Sequence, residues 1–287
     1  MSQPQDPLSP KFAQAILPFD DQKWGFLIVR TARYDQDSAL DTLQWSTAMQ
    51  KVRSLAGREF PNGPPDEISL PVLSDPSLTG LSFDKLRTRF KTWVDDFSIS
   101  HASTNEYGDV LDGFGTIQCD IRRNCFLVID DASLKSITDY VPDPMENAWE
   151  NRGKPRQERP WAIVVDRYTA IECGYNGGGP YPGWLRTQVP WLWELFDAIE
   201  MLDGSPSVLE EQICTTRRYA GQILLYNGVG VELIDPEGGL EGAYKFPHLP
   251  GRGRQEKEDV DGIIEEIEKA TGKRLGHDAC ECDDCYY

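Results

Sequence analysis

Apolar positions along this chain fall into short unbroken runs and into longer stretches with helical spacing. W-G-F-L-I-V-R-T (24–31), C-F-L-V-I-D (125–130) and W-A-I-V-V-D (161–166) are runs of apolar, mostly β-branched or aromatic residues that end in a charge or a hydroxyl. Runs of this length predict buried strands. From Ser38 to Leu55 the apolar residues Leu40, Leu43, Ala48, Val52 and Leu55 predict one helical face, with Asp37 or Ser38 as its cap. A second helix is predicted from Ser82, where Phe83, Leu86, Phe90, Trp93, Val94 and Phe97 recur at steps of three and four. A short helix over 132–139 carries Leu134 and Ile137. W-L-W-E-L-F-D-A-I-E (191–200) is amphipathic and aromatic.

Breakers divide these segments. Residues 60–67 and 99–119 read as loops, and 141–160 as an exposed excursion. Pro71 demotes 68–73 to an edge strand or a non-strand. G-Q-I-L-L-Y-N-G (221–228) runs into an Asn-Gly turn and predicts a hairpin with 231–236. Residues 258–270 predict a last acidic helix. Strands alternate unevenly with helices and one hairpin is present. The expectation is therefore an α+β protein: a mixed β-sheet flanked by helices in a single large domain over 16–272. It is bracketed by a disordered N-terminal arm (1–15) and an acidic Cys-containing tail (273–287).

Composition narrows the function classes. The chain of 287 residues carries 29 basic and 47 acidic side chains, a net charge of −18. Such a field repels phosphate backbones and anionic membranes and favours cationic partners. No apolar run approaches the roughly 20 residues that span a bilayer, and the polar, Pro-rich start lacks the pattern of a signal peptide. The expectation is a cytoplasmic protein with no membrane and no DNA partner. Seven cysteines, an odd number, do not read as a disulfide framework.

The candidate chemistry sits at strand ends, where ligand sites of layered α/β proteins gather. Asp130 and Asp131 close one apolar run, and Asp166 closes another. If the two strands are neighbours, their carboxylates converge on one mouth. Paired carboxylates can hold a guanidinium, hold Mg²⁺ or share a proton. Asp131, before Ala-Ser-Leu, also reads as a helix N-cap. Arg30 and Thr31 end the first run, with Tyr34 just beyond. Arg30 reads either as the partner of a strand-end aspartate or as a binder of an anionic substrate group. Trp184, Trp191 and Trp193 surround the Gly/Pro-rich loop 174–183 and could wall a site for a small cationic ligand through cation–π contact; core packing is the competing reading. Glu194, which shares one helical face with Asp197, and Tyr226, which precedes the Asn-Gly turn, are candidate substrate-binding residues; a solvated face is the competing reading of Glu194 and Asp197. The glycine loop lacks the pattern of a phosphate cradle. Three histidines, at 101, 248 and 277, offer no local nucleophile–base context. The tail places His277, Cys280, Cys282 and Cys285 close together, with spacing only partly suited to zinc. No metal and no cofactor is expected.

W-G-F-L-I-V-R-T-A-R-Y (24–34), S-D-P-S-L-T-G-L-S-F-D-K-L-R-T-R-F-K-T-W-V (74–94), C-F-L-V-I-D-D-A-S-L (125–134) and P-G-W-L (182–185) resemble, in the same order over about residues 20–230, a large set of filamentous-fungal proteins that mostly lack an assigned function. The pattern is also similar to the fungal arginine-containing cyclodipeptide synthases. That resemblance implies aminoacyl transfer from arginyl-tRNA to give an arginine-containing diketopiperazine. It carries no catalytic residue over, because the motif does not match position by position. On it, Asp130, Asp131 and Asp166 would bind the arginyl group, and Thr31, Tyr34 and Ser133 are candidate nucleophiles or bases. A tRNA partner needs a basic face, for which 85–91, 152–159 and 252–254 are available. The alternative is a non-enzymatic binding or regulatory protein with an acidic pocket for a cationic ligand.

Overall fold

The computed structural model describes residues 6–17, 23–35, 37–56, 68–104, 110–111, 120–141, 159–167, 183–201, 223–228, 231–234 and 269. Its elements are α1 (Ser9–Ile16), β1 (Ile28–Arg30), α2 (Ser38–Leu55), β2 (Val72–Ser74), α3 (Phe83–Ser100), β3 (Ser103–Thr104), β4 (Val110–Leu111), α4 (Asp120–Asn124), β5 (Cys125–Ile129), α5 (Asp131–Asp139), β6 (Trp161–Asp166), β7 (Trp184–Gln188), α6 (Leu192–Glu200), β8 (Ile223–Tyr226) and β9 (Val231–Ile234). Seven strands form one mixed sheet in the order β2-β1-β5-β6-β7-β8-β9, and β3 pairs with β4 apart from it. The expected α+β architecture, a mixed sheet flanked by helices, is what is found.

The strands read as unbroken apolar runs because both faces of the sheet are covered. Phe26, Ile28, Leu127, Ile129, Val164, Leu185 and Leu224 meet α2, α5 and α6 on one face. Leu27, Val29, Phe126, Val128, Ile163, Val165 and Trp184 meet α1 and α3 on the other. Gly25, at φ +130°, lets the chain entering β1 run against Ser69; a Cβ there would stand 2.2 Å from the Ser69 carbonyl oxygen.

Direction within the sheet decides where polar ends gather. β1 is parallel to β2 and β5, and β7 is parallel to β8. β6 is antiparallel to both β5 and β7, so β2, β1, β5, β7 and β8 all run the same way. The chain leaves β1 through α2 to reach β2 on one side, then passes through α3 to reach β5 on the other. The strand order thus reverses between β1 and β5, with α2 and α3 on opposite faces. Ligands of open α/β sheets bind at the crevice outside such a reversal.

Two expectations change. Residues 9–16 are not a disordered arm. They form α1, whose Phe12 is fully buried against Phe90, Trp93 and Phe97, because α3 offers an aromatic stripe wide enough to need a cover. Residues 1–5, the acidic helix 258–270 apart from residue 269, and the tail 273–287 lie outside the described residues. Leu40 and Leu43 do not join the buried face of α2. They are 56 % and 63 % exposed, and it is Asp41 that turns inward there. Of the two readings of 68–73, the edge strand is the one found: β2 begins just after Pro71. The predicted hairpin is β8–β9, with Tyr226 opposite Val231.

Candidate functional site

A buried ion pair lies beside the reversal between β1 and β5. Arg30, the last residue of β1, sends two guanidinium N–H groups to the two carboxylate oxygens of Asp41 on α2, one of them at 2.9 Å. A third contact runs from Arg30 to the Arg33 carbonyl at 3.2 Å. Asp41 also accepts the Asp35 backbone N–H at 3.0 Å. The Tyr34 and Trp45 rings cover the guanidinium at 3.9 and 4.7 Å. The hydrogen bonds from Arg30 hold the Asp41 carboxyl below its ordinary range. Arg30 is therefore spent on shaping residues 31–35. It pairs with neither a strand-end aspartate nor a free substrate site, which corrects both readings of it.

The aspartates at the end of β5 exchange the roles expected of them. Asp130 is the N-cap of α5: its Oδ1 accepts the Ser133 N–H at 2.8 Å, while the Asp130 N–H donates to Ser133 Oγ at 2.8 Å. This is a capping box closed by serine. The geometry follows from β5 ending at Ile129, one residue earlier than a cap at Asp131 would need. Asp131 is the freer carboxylate. It accepts the Arg33 backbone N–H at 2.7 Å and faces Arg33 Nε at 3.4 Å, with both side chains largely in solvent.

Asp131, Arg33, Tyr34, Asp35, Gln44, Leu134 and Lys135 line an open cleft of about 220 Å³ between α2 and α5. Thr31 sits behind it, buried, its N–H donating to the Ile129 carbonyl at 3.0 Å and its own carbonyl accepting from Gly80. The Tyr34 and Ser74 hydroxyls lie 2.7 Å apart at the ends of β1 and β2. The cleft brings together two carboxylates, two cations, one amide and one aromatic ring. It suits a small dipolar molecule. Sites that enclose drug-sized ligands are larger, roughly 300–1,000 Å³.

Other expected members lie elsewhere. Asp166 cannot converge with Asp130: their strands are neighbours but antiparallel, and Asp166 pairs with Cys125 at the far edge of the sheet. Its carbonyl there accepts from buried Arg87 at 2.9 Å. Trp184, at the same far edge, is 2 % exposed and packs on Phe83 at 5.1 Å. Trp193 packs on Trp24 beneath the opposite face, so the tryptophans build core and no wall. Glu194 and Tyr226 do come together, under α6. Burial, with the Glu194 and Asp197 charges, pushes the Tyr226 phenol up to about 12. Tyr226 is almost wholly buried and lines no part of the cleft. His101 closes α3 and stacks on Phe97 at 4.0 Å. Most of the glycine loop and the cysteine tail fall outside the described residues.

Sequence reasoning missed Arg33, Asp35, Gln44 and Lys135 of the cleft, and Asp41, Ser74 and Arg186 around it. Asp41 had a signal, a carboxylate on an otherwise apolar helical face. Among the described residues, no group of acidic, Cys or His side chains is placed to hold a metal, and no helix is long and apolar enough to cross a membrane. Comparison of the chain with protein-family models, with curated proteins and with solved structures finds no match.

Proposed function

We propose that the protein binds a small amino acid or amino-acid derivative bearing a guanidinium or amine, at the cleft outside β1 and β5. The observation that carries this reading is Asp131. It is a solvent-facing carboxylate beside Asp35 and the Tyr34 ring, and its present cationic neighbour is the guanidinium of Arg33, 84 % exposed and free to swing aside. A ligand guanidinium would take the place of Arg33, while Lys135 and the displaced Arg33 meet its carboxylate. Small size and mixed charge both favour such a ligand over a nucleotide.

Aminoacyl transfer, the activity implied by the fungal resemblance, is the finer form of this proposal. One feature favours it: the Tyr34–Ser74 hydroxyl pair beside the cleft, a group able to take an acyl chain. A tRNA donor would have to use cations other than Arg87 and Arg89 of α3. Arg87 is buried on the carbonyls of Asp166 and Gly183, and Arg89 is paired with Asp6. Segments 152–158 and 252–254 lie outside the described residues.

The test is calorimetric titration with L-arginine, and with citrulline as its uncharged counterpart. Arginine should bind and citrulline should not. Asp131→Asn should weaken arginine at least tenfold, about 1.4 kcal/mol. Equal binding of the two compounds, or an unchanged Asp131→Asn protein, would overturn the reading. Mass spectrometry of a host expressing the chain separates the two forms: a new arginine-containing diketopiperazine, lost in Ser74→Ala, supports transfer, and binding without product leaves a carrier or sensor.

A further inference from the structure

The face of the sheet opposite the cleft carries a second group at the same carboxyl edge. Arg186, in the middle of β7, projects toward the α1 and α3 side, as its register partner Ile163 does. Its neighbour across β8 is Leu225. Its register partners on both neighbouring strands are thus apolar. Its guanidinium lies flat on the Trp161 indole, 3.7 Å from the ring centroid. Trp161 is itself fixed, by pairing with Gln188 and by donating its backbone N–H to Ser136 Oγ at 3.2 Å.

Arg186 Nε is shielded from solvent and has no hydrogen-bond partner among the described residues. Asp130 acts on it through space, with no hydrogen bond between the two side chains among the described residues. Burial lowers the guanidinium to about 10, which leaves it charged at neutral pH. Proteins rarely leave a shielded charged donor unmade, because removing it from water is costly unless a partner returns the loss. The residue stays partly exposed, so such a partner can arrive from outside.

We propose that Arg186 on its Trp161 shelf is a subsite for a carboxylate group of a small ligand. A planar carboxylate can take two parallel N–H groups of the guanidinium while the indole holds that plane in place. Asp130 and the overall charge of −18 disfavour the dianionic alternative, phosphate. This subsite is on the other face from the cleft and stands whether or not the cleft binds an amino acid.

The test uses the full chain with ¹⁵N-labelled arginine. The Nε–H resonance of Arg186 is assigned by its loss in Arg186→Met, then followed during titration with sodium acetate, sodium benzoate and inorganic phosphate. The carboxylates should move it saturably, and Arg186→Lys, which keeps the charge but not the planar fork, should weaken benzoate at least tenfold. Arg186→Met should melt no lower than the parent, because it removes an unpartnered shielded charge. A purely structural stacking role gives the opposite sign. No movement with either carboxylate, movement with phosphate alone, or an Arg186→Met protein that melts several degrees lower or fails to fold would overturn the assignment.

Discussion

At the scale of single residues, the molecule separates charges that build from charges that are free to bind. Arg30 and Asp41 belong to the first kind. Their side chains are 4 % and 12 % exposed, and the loop carrying Arg33, Tyr34 and Asp35 hangs on them. Asp41→Ala leaves a buried guanidinium with no counter-charge, and losses of about 3–5 kcal/mol are usual for such a break. Asp130→Asn should cost well under 1 kcal/mol, because asparagine caps a helix about as well as aspartate. Urea unfolding of the two variants checks the contrast. Similar midpoints would mean that the Arg30–Asp41 pair does not organise this edge. The sequence hid the distinction for a physical reason. A carboxylate at a strand end looks alike whether its oxygens face a helix N-terminus or water, and one residue of strand length decides between Asp130 and Asp131.

At the scale of elements, most of the architecture was legible and its sidedness was not. The helices starting near Ser38 and Ser82, the strands at 125 and 161 and the 221–236 hairpin follow from periodicity and turn residues, which are local properties. The direction of β6 is not local. Its antiparallel setting sends Asp166 away from Asp130, and nothing in W-A-I-V-V-D encodes that. Arg186 was missed for a related reason: a lone arginine within W-L-R-T-Q looks solvent-facing until the sheet is known to be covered on both sides. Helix α1 was missed because its polar, Pro-rich flank masks Leu8, Phe12 and Ile16. Each of these three buried side chains is worth about 1.5–3 kcal/mol of burial before entropy is counted. Deleting residues 1–17 would bare Phe90, Trp93 and Phe97 and break the Asp6–Arg89 and Lys11–Asp75 pairs. The truncated chain is expected to melt at least several degrees lower and to bind the dye ANS. Unchanged melting without dye binding would mean that α1 is a dispensable appendage.

At the scale of the whole molecule, the −18 charge and the ion-paired aspartates pull stability in opposite directions as pH falls. Near pH 7 the excess of carboxylates repels itself, and this cost fades as pH drops toward the isoelectric point near 4.6. Three aspartates then dominate. Hydrogen bonds from Arg30 lower Asp41. Burial raises Asp6, but its bonds from Arg89 and the Leu8 N–H outweigh that and leave it lowered. The ammonium of Lys11 and the Ser77 N–H bring Asp75 to about 2. A carboxyl lowered in the folded state contributes stability that is complete above its unfolded pKa, roughly 4. That contribution disappears as pH falls through the folded value. Melting temperature should therefore rise modestly from pH 7 to about 5 and fall steeply from about 4 to 2. Two of the three pairs tie α1 to its neighbours, so α1 should loosen first in acid, with dye binding preceding loss of far-ultraviolet ellipticity. Added salt should raise the melting temperature at pH 7 by screening the repulsion, and Asp75→Asn should flatten the acid limb below pH 4. A melting temperature that is level between pH 5 and 2.5, or an Asp75→Asn protein with the parent's acid limb, would show that these pairs do not set the acid stability of the fold.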